Sequence, residues 1–265
     1  MNIEEYERIQ PNATVDGMMF YLPNKHCEWR VQTMYTKEED TVAWIRSMTP
    51  NEIFYDIGAN IGLYTLLASK QGLAVFAFEP ESQNFAVLTR NLAMNKLSKG
   101  QAVAFPFCIS DGQRIDTLRL SSLIAGGSCH SFASNENFKR EEKKWAYEQG
   151  SVSFSLDSLV FECGMPQPTH IKVDVDGFED KVLAGGSRVL ENTKSILVEM
   201  DSANADHMAW KNTLEERGFV TDETEYSKAR RTEGAFAGIG NIIFRRPEIG
   251  VFAPSGASDG DAPNA

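Results

Sequence analysis

Residues 53–62 read Ile53-Phe54-Tyr55-Asp56-Ile57-Gly58-Ala59-Asn60-Ile61-Gly62: a short apolar strand carrying an acid near its end, then a turn built on two glycines. Glycines at 58 and 62 let the backbone turn sharply and let a ligand approach the main chain. The spacing is Gly-x-x-x-Gly, not the Gly-x-Gly-x-x-Gly that cradles a dinucleotide pyrophosphate. An acid just before the glycines would repel a pyrophosphate, so Asp56 suits a ligand with a cationic group at this turn. Residues 74–79 form a second apolar run that also ends on a carboxylate, Glu79, 23 residues after Asp56. That placement suits the two hydroxyls of a ribose.

Outward from this unit the pattern repeats. Ser82 is placed to cap a helix in which Phe85, Leu88 and Leu92 share a face. Residues 103–109 form a third strand, interrupted by Pro106, which points to an edge or a bulge. Residues 171–175 and 196–200 are two further buried strands, with a helical stretch from about Phe178 between them. A helix over 204–217 and a strand over 239–244 complete the series. Strands alternating with helices indicate parallel βαβ units with helices on both faces of the sheet. Ligands of such sheets lie beyond the carboxyl ends of the strands, at the point where the strand order reverses.

The stretch 116–168 breaks the alternation. It holds a Ser/Gly loop over 121–131, a charged segment over 136–149 that reads as a helix with a solvated face, and a strand in which Val152, Phe154 and Leu156 alternate with serines. The expected organisation is an N-terminal helical or irregular extension over 1–50, a main domain over 51–246 with 116–168 as an insertion or lid, and a disordered tail over 247–265. Within the extension, an amphipathic helix over 38–48 presents Val42, Ile45 and Met48 on one face.

Composition narrows the classes. The 265 residues include 26 basic and 37 acidic side chains, a net charge of −11, and 42% hydrophobic residues, enough for a full core. The acidic balance weighs against nucleic acid as a partner, since phosphate binding needs a basic face. Cys27, Cys108, Cys129 and Cys163 are scattered and form no Cys-x-x-Cys pair. No apolar run of about 18 residues spans a membrane, and the first residues lack the basic and apolar segments of a signal peptide. A cytoplasmic protein is expected.

Six blocks in order, DIGANIG (56–62), FEP (78–80), CISD (108–111), LDSL (156–159), HIKVDVDGFEDKVLAGGSRVL (170–190) and ILVEM (196–200), resemble the FkbM family of S-adenosylmethionine-dependent methyltransferases. The resemblance covers about residues 52–201, and its last two blocks are far more specific than the glycine turn. It implies an α/β fold of the Rossmann-like class I methyltransferase type: a seven-stranded, mostly parallel sheet with an antiparallel last strand. The resemblance places Asp56, Gly58, Asn60 and Gly62 around the amino-acid part of S-adenosylmethionine, Glu79 on the ribose, and Ser110 and Asp111 at the adenine. It places Asp174 beside the methyl-transfer position. Where the family most often carries Glu, two residues on, this chain has Asp176, one methylene shorter.

A cationic cofactor is stabilised by such carboxylates, and a hydroxyl acceptor benefits from a base within hydrogen-bond reach. Asp174 is the first candidate for that base or for orienting the substrate, and Asp176 the second. A capping role for Asp176-Gly177 at the next helix is the competing reading. His130, in the Ser/Gly loop, is either a base or a solvated loop residue. His170 opens the fourth strand, about 13 Å from Asp174 at ~3.3 Å per residue, and is read as structural. No metal is expected; the alternative is an oxygen set of Asp174, Asp201 and Asn204. The function expected is O-methylation of a small-molecule, sugar or lipid hydroxyl. The alternatives are a non-catalytic S-adenosylmethionine- or partner-binding module and an NAD-dependent oxidoreductase.

Overall fold

A hairpin is the first element among the described residues of the computed structural model, which are 11–97, 100–222 and 230–247. Strands β1 (Ala13–Val15) and β2 (Met18–Phe20) meet at Asp16-Gly17, whose φ values of 49° and 73° are those of the two-residue turn that matches strand twist. Helices α1 (Lys25–Lys37) and α2 (Glu39–Arg46) follow. Then the alternation read from the sequence begins: β3 (Ile53–Ile57), α3 (Leu63–Lys70), β4 (Ala74–Phe78), α4 (Ser82–Met94) and β5 (Ala102–Phe105). After α5 (Leu156–Phe161) it resumes with β10 (His170–Val173), α6 (Glu179–Ala184), β11 (Ser195–Asp201), α7 (Ala205–Glu216) and β12 (Ile239–Arg245).

The central sheet has the order β12-β11-β10-β3-β4-β5, parallel throughout except for the antiparallel β11–β12 pair. It is a Rossmann-like α/β sheet with an antiparallel last strand. Six strands are present among the described residues where seven were expected. The single strand expected over 103–109 divides at Pro106 into β5, which stays in the central sheet, and β6 (Cys108–Ile109), which leaves it. Proline lacks the ladder N–H, so the break falls there. β6 instead joins a smaller sheet of order β6-β9-β7-β8, with β7 (Arg114–Leu120), β8 (Ser131–Phe132) and β9 (Tyr147–Phe154).

The segment 136–149 is not helical. Glu136 and Glu142 form an isolated antiparallel bridge, and the chain enters β9 at Tyr147. Its side chains find tertiary partners instead of an apolar helical stripe: the Phe138 ring stacks on Phe236 at 4.8 Å, and Arg140 bonds Asp180 at 2.6 Å while lying over the Phe178 ring. Contacts of this kind outweigh the small helix propensity of a charged run. The cap of α4 is Glu81, which accepts from the N–H groups of Gln83 and Asn84, rather than Ser82.

Side chains alternate across β3 and β10 with period two. Tyr55, Ile57, Ile171 and Val173 enter the cluster that holds Val182, Leu183, Leu190 and Leu214. Phe54 enters the opposite cluster, formed with Met34, Val42, Trp44, Ile45, Leu66 and Leu67. Residues 18–48 therefore close one face of the central sheet, each buried Leu-sized side chain contributing about 1.5–3 kcal/mol. Trp44 Nε1 donates to Ser195 Oγ at 2.9 Å, and His170 joins that hydroxyl to Glu52 through its two ring nitrogens, so His170 is held at the far edge of the sheet. The expected tail over 247–265 lies outside the described residues, apart from Pro247.

Candidate functional site

The chain runs from β3 outward through β4 to β5, then returns to lay β10 on the other side of β3. The reversal falls between Ile57 and Val173, paired neighbours at the carboxyl ends of β3 and β10. Gly58 sits at this point with φ +80°, and a Cβ built on it would lie 1.8 Å from the carbonyl oxygen of Asp174. Only glycine allows the two strand ends to approach so closely. The turn is held to the next strand, because the Gly58 and Ala59 amides both donate to the Phe78 carbonyl and the Asn60 amide donates to Glu79 Oε2 at 2.8 Å.

Two cavities open on either side of this point, sharing Gly58, Asp174 and Asp176. The larger, of about 300 Å³, is walled by one face of α1 (His26, Trp29, Arg30, Thr33, Lys37) and by the turn Gly58–Ile61. Its acidic floor consists of Asp174, Asp176 and Glu199. The smaller, of about 90 Å³, is lined by Glu79, Phe107, Ser110, His130 and Phe132 among others. Of the residues singled out in the sequence, Gly58, Asn60, Asp174 and Asp176 meet at the larger cavity, and Glu79, Ser110 and His130 at the smaller.

Three of the residues expected around the cofactor are placed elsewhere. Asp56 lies beneath the turn, 1% exposed, with Oδ2 accepting from the Thr65 hydroxyl and Oδ1 without a hydrogen-bond partner. Burial raises its pKa against the pull of Lys172, which lies opposite it in the β3–β10 register. Gly62 ends the turn at φ +89° as the cap of α3, and a Cβ there would meet Leu88 at 2.5 Å. Asp111 points away and bonds Arg114 at 2.9 Å.

Asp174 and Asp176 differ sharply in environment. Burial opposes charge on Asp174, but Lys172 Nζ donates to its Oδ2 at 2.7 Å and holds its pKa below the usual carboxylate value. Lys172 is itself 1% exposed; burial would neutralise it, yet the charges of Asp174, Asp56 and Glu38 keep it protonated. Asp176 accepts the Cys129 amide at 2.6 Å, and burial together with the Asp174 charge pushes it up to about 6. Its backbone φ of 58° and that of Gly177, 99°, turn the chain so that its side chain faces the Ser/Gly loop.

His130 lines only the smaller cavity. Its Nδ1 accepts the Ser121 amide at 3.2 Å, and burial pulls its pKa down to about 4. A neutral imidazole whose Nδ1 accepts must carry its proton on Nε2, so its open nitrogen is a donor and has no lone pair for a substrate proton.

Asp174, Asp176 and Glu199 each bring one oxygen within 4.8 Å of the others, and are the acids that converge among the described residues. Asp201 and Asn204, expected as possible partners of Asp174, are used locally. Asp201 Oδ1 accepts the Ala203 amide, and Asn204 caps α7 through the Asp206 and His207 amides. The cluster already holds internal cations: Lys172 on Asp174, and Arg231 on Glu199 at 3.0 Å.

Lys172 was not singled out in the sequence as a site residue, although its place two residues before Asp174, in a strand that pairs with the one carrying Asp56, is a legible signal. Arg30, Tyr64 and Arg231 carried no such signal, because they reach the cavity from separate elements.

The profile of the methyltransferase FkbM domain family matches residues 56–221. A hexuronic acid methyltransferase of Haloferax volcanii is 25% identical over 203 residues, 76% of this chain and 77% of its own length. A methyltransferase of Sordaria araneosa is 24% identical over 207 residues, 69% of this chain and 80% of its own. Among solved structures, magnesium protoporphyrin IX methyltransferase of Synechocystis PCC 6803 aligns with a TM-score of 0.47 and 11% identity, across 92% of this chain and 90% of that one.

Proposed function

The chain belongs to the FkbM methyltransferase family, whose cofactor is S-adenosylmethionine, and from that premise we propose that it methylates a hydroxyl oxygen of a small molecule, with a sugar as the favoured class. The donor set suits the cofactor: acidic groups at the larger cavity complement a sulfonium and an ammonium, and Glu79 at the smaller suits a ribose. When bound, S-adenosylmethionine supplies a methyl group made electrophilic by its sulfonium.

The observation that carries the proposal is the contrast between Asp174 and Asp176. A hydroxyl must lose its proton as the new bond forms, and a base works best with a pKa near the working pH. Asp176, pushed up to about 6, meets that condition, whereas Asp174 is held charged by Lys172. Two carboxyl groups with pKa values driven apart commonly divide such roles. In this reading Asp176 takes the proton, and Asp174 orients the acceptor while its negative charge faces the cationic donor. The hexuronic acid methyltransferase relative supports the sugar class.

The test is transfer of labelled methyl from S-adenosylmethionine to a panel of hydroxylated sugars, their amino analogues and uronic acids, with product analysis. An alkali-stable ether is expected. Methyl found on nitrogen, or as an alkali-labile ester on a carboxyl group, would overturn the hydroxyl assignment.

A further inference from the structure

Four cations line the larger cavity, and three have an acid beside them: Lys172 pairs with Asp174 at 2.7 Å, Arg231 with Glu199 at 3.0 Å, and Lys37 with Glu38 at 3.3 Å. Arg30 is the fourth. Its Nε donates to the Gly126 carbonyl at 2.6 Å, which pins the side chain, and its terminal nitrogens have no acidic partner among the described residues. It is half-buried on the cavity-facing side of α1, between Trp29 and Thr33. The Arg30 charge acts on Asp174 and Asp176 only from a distance, so a pinned, partly desolvated guanidinium keeps an open fork that a ligand anion can fill.

Resting on the reading of this cavity as the methyl-transfer site, we propose that Arg30 is its anion receptor and binds a ligand carboxylate. The charge balance selects the class. With Lys172 and Arg231 already paired to Asp174 and Glu199, a single guanidinium fork is left, which matches one planar carboxylate rather than a doubly charged phosphate. Two ligands bring that group: the methionine part of the cofactor, and an acidic sugar as acceptor. Arg30 shares the cavity wall with the turn Gly58–Ile61 and with Asp174, so either carboxylate comes within the same enclosure.

Calorimetric titration of the wild type and Arg30→Gln separates the sources. The probes are S-adenosylhomocysteine, 5′-methylthioadenosine, which lacks the carboxylate, and, with S-adenosylhomocysteine saturating, glucuronate and glucose. If the carboxylate is the cofactor's, Arg30→Gln weakens S-adenosylhomocysteine at least about tenfold and leaves 5′-methylthioadenosine unchanged. If it is the acceptor's, S-adenosylhomocysteine is unchanged and the preference for glucuronate over glucose is lost. Arg30→Lys, which keeps the charge and loses the fork, recovers part of either effect. Equal binding of all four probes by both proteins overturns the proposal, as does equal weakening of the two nucleosides, which marks general damage. Failure of the wild type to bind S-adenosylhomocysteine would instead sink the cofactor reading on which the proposal rests.

Discussion

Lys172 and Asp174 are joined by a 2.7 Å bond between Nζ and Oδ2, two positions apart at the end of β10 and on the sheet face that looks toward α3. The lysine is buried, faces the Tyr64 ring at 5.2 Å and lies opposite Asp56 in the β3–β10 register. One cation thus serves two strand-end acids.

Removing that cation leaves two acids without compensation. Lys172→Met is expected to lower stability by about 3–5 kcal/mol, the usual cost of breaking a buried pair from one side. Urea unfolding at neutral pH measures it, and an unchanged midpoint would refute a structural role for the pair.

Asp176 sets a pH limb. Its pKa is raised to about 6 in the folded protein, and the working form of a base is the deprotonated one. Methyl transfer should therefore fall as pH drops through about 6 and level off above it. Asp176→Asn should lose this limb and about 10²–10⁴ of the rate, the usual contribution of a positioned base. A pH profile of kcat for both proteins decides it; an intact limb in the variant would assign the titration to another group.

Gly58→Ala tests the close approach of β3 and β10. The new Cβ would lie 1.8 Å from the Asp174 carbonyl oxygen, at a φ of +80° that alanine rarely adopts. Backbone strain of this kind costs about 1–3 kcal/mol before the clash is counted. Both the thermal midpoint and S-adenosylhomocysteine affinity should fall; retention of both would show that the strand ends can part without consequence.

Asn84 ties α4 to the Ser/Gly loop, with its Oδ1 accepting the Gly126 amide at 2.7 Å and its Nδ2 donating to the Gly127 carbonyl at 3.1 Å. Asn84→Ala leaves those buried groups short of partners at about 1–3 kcal/mol. Faster hydrogen exchange over 121–131 is expected, together with a higher KM. Unaltered exchange there would mean that the loop's other ties, from Asn60, Arg30 and Asp176, hold it without Asn84.

The site was legible wherever it is local. Asp56, Gly58, Glu79 and Asp174 stand at strand ends, and a continuous apolar run followed by glycine or proline marks such an end within a few residues of chain. His130 was not legible as a donor, because the Ser121 amide that occupies its Nδ1 belongs to the fold of a loop with no periodic signal. Segment 136–149 was misread for a related reason: its charges suit a solvated helix, but Arg140 and Phe138 are claimed by Asp180 and Phe236, far along the chain.

The alternation of strands and helices and the order of the acids were therefore set by the sequence alone, since they follow from apolar runs and turn chemistry, while the antiparallel close of the sheet was implied by the resemblance to the FkbM family. The tertiary structure alone decided which acid is kept charged and which can take a proton. It also decided that Asp56 lies beneath the turn and that Arg30 faces the cavity with no acid bonded to it. Those properties depend on burial and on neighbours brought from distant elements, and the energy of a charge is set by what surrounds it in space rather than by its place along the chain.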